Sequence, residues 1–222
     1  MQRSHVEPVA APPVRGAQEQ EAALSAPFPR LLAWLLTVGG LAAFAAAFTL
    51  SVEKIALLKN PAYVPSCSLN PVLSCGSVMN TPQAEAFGFA NPLLGVAGFA
   101  VVTAIGVVLL TAAALPRWFW LGLQVGVTFG VVFVHWLIYQ SLYVIGALCP
   151  YCMVVWAAVI PIFWYVTLHN LQQRHLPAAR AGRTGRALQT VLGYHTVPLT
   201  LWFLAVITAI GVRFWSYWST LL

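Results

Sequence analysis

Charge is what this sequence lacks. Of its 222 residues only 7% are charged, and the five acidic ones include no aspartate. Soluble domains carry about 25% charged residues, so folding as a water-surrounded globule is excluded. The ten-residue alternation of a membrane barrel is also missing, and no internal repeat is visible. What remains is apolar: 60% hydrophobic residues and a mean hydropathy of +0.80. In lipid such a chain must satisfy its own backbone, and without a barrel it does so as helices.

Five runs approach the ~20 residues that a hydrocarbon core of ~30 Å demands: Leu31–Val52, Leu93–Leu115, Trp118–Gln140, Leu148–Leu168 and Thr196–Trp218. The expected architecture is an all-α integral membrane bundle of five spans. Residues 1–27, rich in Ala, Pro, Gln and Glu, are expected to be a disordered cytoplasmic tail, and 28–222 one membrane domain. The Ala-rich text AAFAAAF resembles a leader cleavage site, but the length of the first run favours an uncleaved anchor.

The positive charge has no nucleic-acid pattern; it orients the chain instead. With the N-terminus inside, the cytoplasmic pieces hold eight arginines: Arg3, Arg15, Arg30, Arg117, Arg174, Arg180, Arg183 and Arg186. The outer pieces hold three basic residues, Lys54, Lys59 and Arg213. That is a positive-inside bias. Counting spans then puts the outer loop 53–91 and the turn before the fourth span on one face. All four cysteines therefore share the outer, oxidising side.

Within the outer loop, NTPQAEAFGF reads as a short amphipathic helix. Thr81 would cap it, Pro82 would open it, and Phe87 and Phe89 would form its apolar side. Glu85 reads as a solvated residue of that helix. Asn91-Pro92 repeats the cap-and-proline signal at the second span.

The cysteines come as two pairs, Cys67 with Cys75 and Cys149 with Cys152, the latter as CPYC. Two structural bridges are one reading, because outside a cell cysteines persist as disulfides. Zinc is a poorer one, since the first pair has the wrong spacing; no metal is expected. A redox pair is favoured on physical grounds. CPYC opens a helix, where unpaired N–H groups and the dipole stabilise thiolate. A bridge across one helical turn constrains the fold very little. A loop pair can relay electrons from a soluble thiol protein to this fixed pair by disulfide exchange, within reach of a membrane-dissolved acceptor.

The text SCSLNPVLSCGSVMNTPQAEAFGFANPLLGVAGF, followed by LCPYC, resembles the vitamin K epoxide reductase family, in particular its bacterial homologues. The resemblance spans about 31–169. It implies four helices around a quinone, a lid helix above them, and a peripheral fifth helix. It also implies roles. Cys152 matches the cysteine facing the quinone, and Cys149 its partner, which exchanges with Cys75. Cys67 matches the cysteine that meets a thioredoxin-like protein. Asn91 matches a residue bonded to a quinone oxygen, and Thr81 the family's hydroxyl position. Trp156 and Met79 stand where the vitamin K-reducing animal members carry a tyrosine and an aromatic lid residue. These departures bear on epoxide reduction, not on quinone reduction.

The implied activity is therefore a quinone-dependent thiol oxidoreductase of a bacterial inner membrane. Its acceptor would be menaquinone, ubiquinone or a vitamin K-like quinone, and its donor a separate periplasmic thioredoxin-like oxidoreductase. The contrasting expectation is a membrane scaffold or transporter with two static disulfides. His135, Gln124 and Gln140 read as hydrogen-bonded groups inside the bundle. Trp34, Trp118, Trp120, Trp215 and Trp218 read as interfacial belts.

Overall fold

The computed structural model describes residues 27–175 and 193–220. Apart from Pro27, the expected disordered tail lies outside those residues, as does the arginine-rich text beyond His175. The first span is one continuous helix: α1 (Pro27–Trp34), a π turn over Leu35–Gly39, and α2 (Gly40–Lys59). A short helix between the spans, α3 (Cys75–Met79), is followed by a 3₁₀ turn over Pro82–Glu85. The second span is α4 (Asn91–Leu110). The third is α5 (Arg117–Tyr139), continued by a π turn over Gln140–Ile145. The fourth is α6 (Pro150–His175) and the fifth α7 (Thr196–Arg213), with α8 (Trp215–Trp218) after it. All five spans are long and apolar enough to cross a membrane, and the fold is all-α.

Small residues set the tightest contact. A Cβ on Gly106 would overlap the Thr37 backbone, one on Gly95 would sit 2.8 Å from the Ala47 Cβ, and one on Gly40 2.7 Å from Thr103 Oγ1. In lipid, where hydrophobicity does not drive helices together, such close approach gives the first two spans their packing. Thr37 and Thr103 return their hydroxyls to carbonyls of their own helices, at 2.8 and 2.7 Å, so neither leaves a polar orphan.

Leu36, Ala43, Ile105, Leu123, Ile162 and Val166 form a core shared by the first four spans. The fifth stands at the periphery: α7 buries no residue of its own. Among the described residues, two side-chain hydrogen bonds tie it to the third span and the π turn that continues it. Trp202 Nε1 donates to His135 Nε2 at 2.8 Å, while His135 Nδ1 meets the Val131 carbonyl at 2.7 Å. The imidazole is thus the Nδ1–H tautomer, with both nitrogens used. Arg213 Nε donates to the Leu142 carbonyl at 2.8 Å.

Three expectations need correction. The first helix continues past Val52 to Lys59, taking Glu53 and Lys54 into its buried face. Trp120 is no interfacial belt residue. It is buried, its ring 3.9 Å from that of His169, whereas Trp34, Trp118 and Trp215 are exposed. Asn91 does not cap the second span: Ala90 holds the cap position, and the Asn91 side chain reaches elsewhere.

Candidate functional site

The loop between the first and second spans is folded by side chains flanking its cysteines. The Glu53 carboxylate, at the end of the first span, accepts from the Ser66 N–H at 3.2 Å and its hydroxyl at 2.6 Å. That fixes the residue before Cys67. Asn70 Oδ1 then accepts from the N–H groups of Val72 and Leu73, at 3.0 and 2.7 Å, and turns the chain. Ser74 caps α3 by accepting from the Ser77 N–H, so Cys75 opens that helix much as Pro150 opens α6.

Two backbone bonds join the cysteine segments. The Ser74 N–H donates to the Leu148 carbonyl at 2.9 Å, and the Leu148 N–H to the Val72 carbonyl at 2.7 Å. The first joins the residues directly before Cys75 and Cys149, and the second reaches back to Val72. The result is a Cys75 Sγ to Cys149 Sγ distance of 3.0 Å, with both residues buried. Cys67 and Cys75 are disulfide-bonded; Cys149 and Cys152 are free thiols. Gly146, at φ +71°, makes the left-handed turn that ends the π segment and leads into Leu148; a side chain would be strained there.

Cys149 is held below the ordinary thiol range. The neighbouring Cys152 thiol contributes most, and backbone N–H groups of Cys152 and Tyr151 add to it against the opposing effect of burial. The Cys152 N–H lies 3.4 Å from Cys149 Sγ. The sulfurs of Cys67, Cys75 and Cys149 all lie within 4.8 Å of one another. With two of them joined, the cluster suits disulfide exchange rather than the multiple thiolates that a zinc site requires.

Beneath the sulfurs lies a cavity of about 710 Å³. The first span packs on both the second and the fourth, the third packs on the fourth, and the cavity lies between the second and third. Its polar lining gathers at the end nearest the sulfurs: Thr81, Gln83, Asn91, Gln140, Ser141, Cys149 and Cys152. From there an apolar trough runs along α5 to Trp118 and Phe119, roughly 30 Å at 1.5 Å per residue.

The lid over this polar end is fastened to three spans. Lys54, buried on the first, donates to the Met79 carbonyl at 2.8 Å and pairs with Glu85 at 3.0 Å. Asn91, on the second, donates to the Gln83 carbonyl at 2.7 Å and accepts from the Ala86 N–H at 3.0 Å. Phe87 packs on Phe129 and Phe133 of the third, ring centroids 6.2 and 5.4 Å away. Glu85 is therefore an ion-pair partner and not merely a solvated lid residue. The lid itself is α3 plus a single 3₁₀ turn, not one amphipathic helix. Thr81 stands before that turn without capping it and donates to the Val78 carbonyl at 2.8 Å.

The structure brings Asn91, Thr81, Met79 and Trp156 to the same cavity as Cys149 and Cys152. Cys67 lies apart, above it, against Cys75. Sequence reasoning missed Glu53 and Lys54. Their signal was available, since charges continuing an apolar run are functional suspects.

A model of the vitamin K epoxide reductase family matches residues 34–167. The chain belongs to that family. The match runs from the first span into the fourth and takes in the lid, all four cysteines and nearly all of the cavity; α7 lies outside it. Comparison with curated proteins gave no match. Family membership, with a disulfide and two thiols in one buried cluster, makes the chain a multi-pass membrane thiol oxidoreductase.

Proposed function

We propose that the protein oxidises a thioredoxin-like partner on the outer face of a bacterial inner membrane and reduces a quinone within the bilayer. It would thereby support disulfide formation in exported proteins. The observation that carries this reading is the polarity of the cavity: thiols and hydrogen-bonding groups at one end, an apolar trough along the rest. That shape fits a polar ring head with a long hydrocarbon tail. The volume lies within the ~300–1,000 Å³ of small-molecule sites, and a gap between the second and third spans suits entry from lipid.

Asn91, Thr81, Met79 and Trp156 would hold the ring beside Cys152. A quinone bound there accepts two electrons and two protons. The other steps belong to the chain. A partner thiolate attacks Cys67 Sγ, the Cys67–Cys75 bond breaks, and a second partner thiol completes the exchange. The partner leaves oxidised, with Cys67 and Cys75 as thiols. Cys75 thiolate then attacks Cys149 Sγ of a Cys149–Cys152 bond, releasing Cys152 as thiol. Cys67 attacks Cys75 next, restoring the outer disulfide and releasing Cys149. The observed state, outer pair oxidised and inner pair reduced, is the one after this transfer, with the electron pair held beside the cavity. Val64 and Leu69, both exposed and close in sequence to Cys67, offer a partner an apolar foothold.

The test is oxidation of a reduced thioredoxin-like protein by purified enzyme and menaquinone or ubiquinone, followed by quinone absorbance. Wild type should turn over, and Cys152→Ala should not. Turnover by Cys152→Ala would remove the inner pair from the mechanism. The scaffold reading, with two static bridges, gains nothing from a structure in which Cys149 and Cys152 are thiols.

A further inference from the structure

Among the described residues, two glutamines in the third span have opposite surroundings. Gln124 is fully engaged: its amide donates to Thr128 and Thr167, at 3.3 and 3.0 Å, and its oxygen accepts from Asn170 at 3.0 Å. That is a structural bridge between the third and fourth spans. Gln140 lines the polar end of the cavity, and its Oε1 is buried without a hydrogen-bond partner. Buried polar atoms are nearly always satisfied, and an exception calls for a cause. Nothing in the packing supplies one. A leucine or methionine would fill the same place without the desolvation penalty.

Of the other carboxamides that line the cavity, Gln83 and Asn91, the second is already committed. Asn91 uses its oxygen for the Ala86 N–H and an amide hydrogen for the Gln83 carbonyl, so its first task is fastening the lid. The Thr81 hydroxyl likewise gives its proton to the Val78 carbonyl. Among the described residues, Gln140 is the cavity-lining carboxamide whose oxygen is both buried and without a hydrogen-bond partner.

We infer that Gln140 is a ligand-binding residue of the cavity, its carboxamide hydrogen-bonding a ring oxygen of the quinone that the proposed function places there. An amide suits a ligand that changes from acceptor to donor during the reaction. Its NH₂ donates to a ring carbonyl. After a half-turn about its last torsion, its oxygen accepts from a ring hydroxyl. No bond is made or broken at Gln140, and no electron passes through it.

The inference rests on the quinone reading, and the experiment separates the two. Menadione is titrated into detergent-solubilised wild type, Gln140→Leu and Gln140→Met, and the dissociation constant is read from quenching of tryptophan fluorescence. Two further readouts are the melting temperature and the rate at which dithiothreitol reduces the Cys67–Cys75 bond. Loss of one buried hydrogen bond weakens binding by roughly five- to a hundredfold. Both variants should show that loss, with a melting temperature equal to or above wild type and an unchanged dithiothreitol rate. Wild-type affinity in both variants overturns the role of Gln140 while leaving the quinone reading intact. A fall in melting temperature in both variants makes Gln140 a structural residue and overturns it as well. Failure of wild type itself to bind menadione overturns both.

Discussion

Cys149 is the residue on which the sulfur chemistry turns, because it touches both pairs. It lies 3.0 Å from Cys75 and three residues from Cys152. The sequence made half of this legible. CPYC before an apolar run announces a helix start, and a helix start favours thiolate. The proximity of Cys75 was not legible, since it depends on two backbone bonds through Leu148 that no side-chain pattern encodes. The lowered Cys149 value has a pH signature. A depressed thiol keeps its thiolate as pH falls, and loses it only below the ordinary range of about 8.5. Alkylation of Cys149 by iodoacetamide, mapped by mass spectrometry, should rise with a midpoint below that value. In Cys152→Ala the largest cause is gone, and the midpoint should move upward. A wild-type midpoint at or above the ordinary thiol range would contradict the assignment.

At the scale of elements, the spans were readable and the lid was not. Long apolar runs with proline or asparagine at their edges leave little freedom in lipid, and the five helices follow. The lid has no such constraint. Thr81-Pro82 is a sound start signal, yet the segment makes one 3₁₀ turn, because its backbone is bonded to two side chains on other elements, Lys54 and Asn91. Lys54 is the most buried of these anchors and binds both halves of the lid. Replacing it by methionine removes a charge-assisted bond to the Met79 carbonyl, worth roughly 1.5–3 kcal/mol. The pair with Glu85 adds less, since Glu85 is half exposed. Amides 76–86 in Lys54→Met should exchange hydrogen about tenfold or more faster, with those of α4 and α5 unchanged. Equal exchange in mutant and wild type would mean that the lid does not depend on Lys54.

For the whole molecule, span parity and the arginine bias together put the sulfur cluster, the lid and the polar end of the cavity on one face. Orientation across the membrane is checked by labelling. In intact cells, a membrane-impermeant maleimide should modify Asn60→Cys, at the end of the first span's helix. Ala114→Cys, between the second and third spans, should react only after permeabilisation. The reverse pattern would put the cysteines on the reducing side and end the account.

The central claim is that the four cysteines form one path, crossing from the outer pair to the inner pair at Cys75 and Cys149. It is tested most directly by a Cys67→Ala, Cys152→Ala double variant, which removes the two resolving sulfurs and leaves the crossing pair. After mild oxidation, non-reducing peptide mapping should find Cys75 joined to Cys149 in most molecules. If those two cysteines stay as thiols, or cross-link between molecules instead, the relay does not run through them.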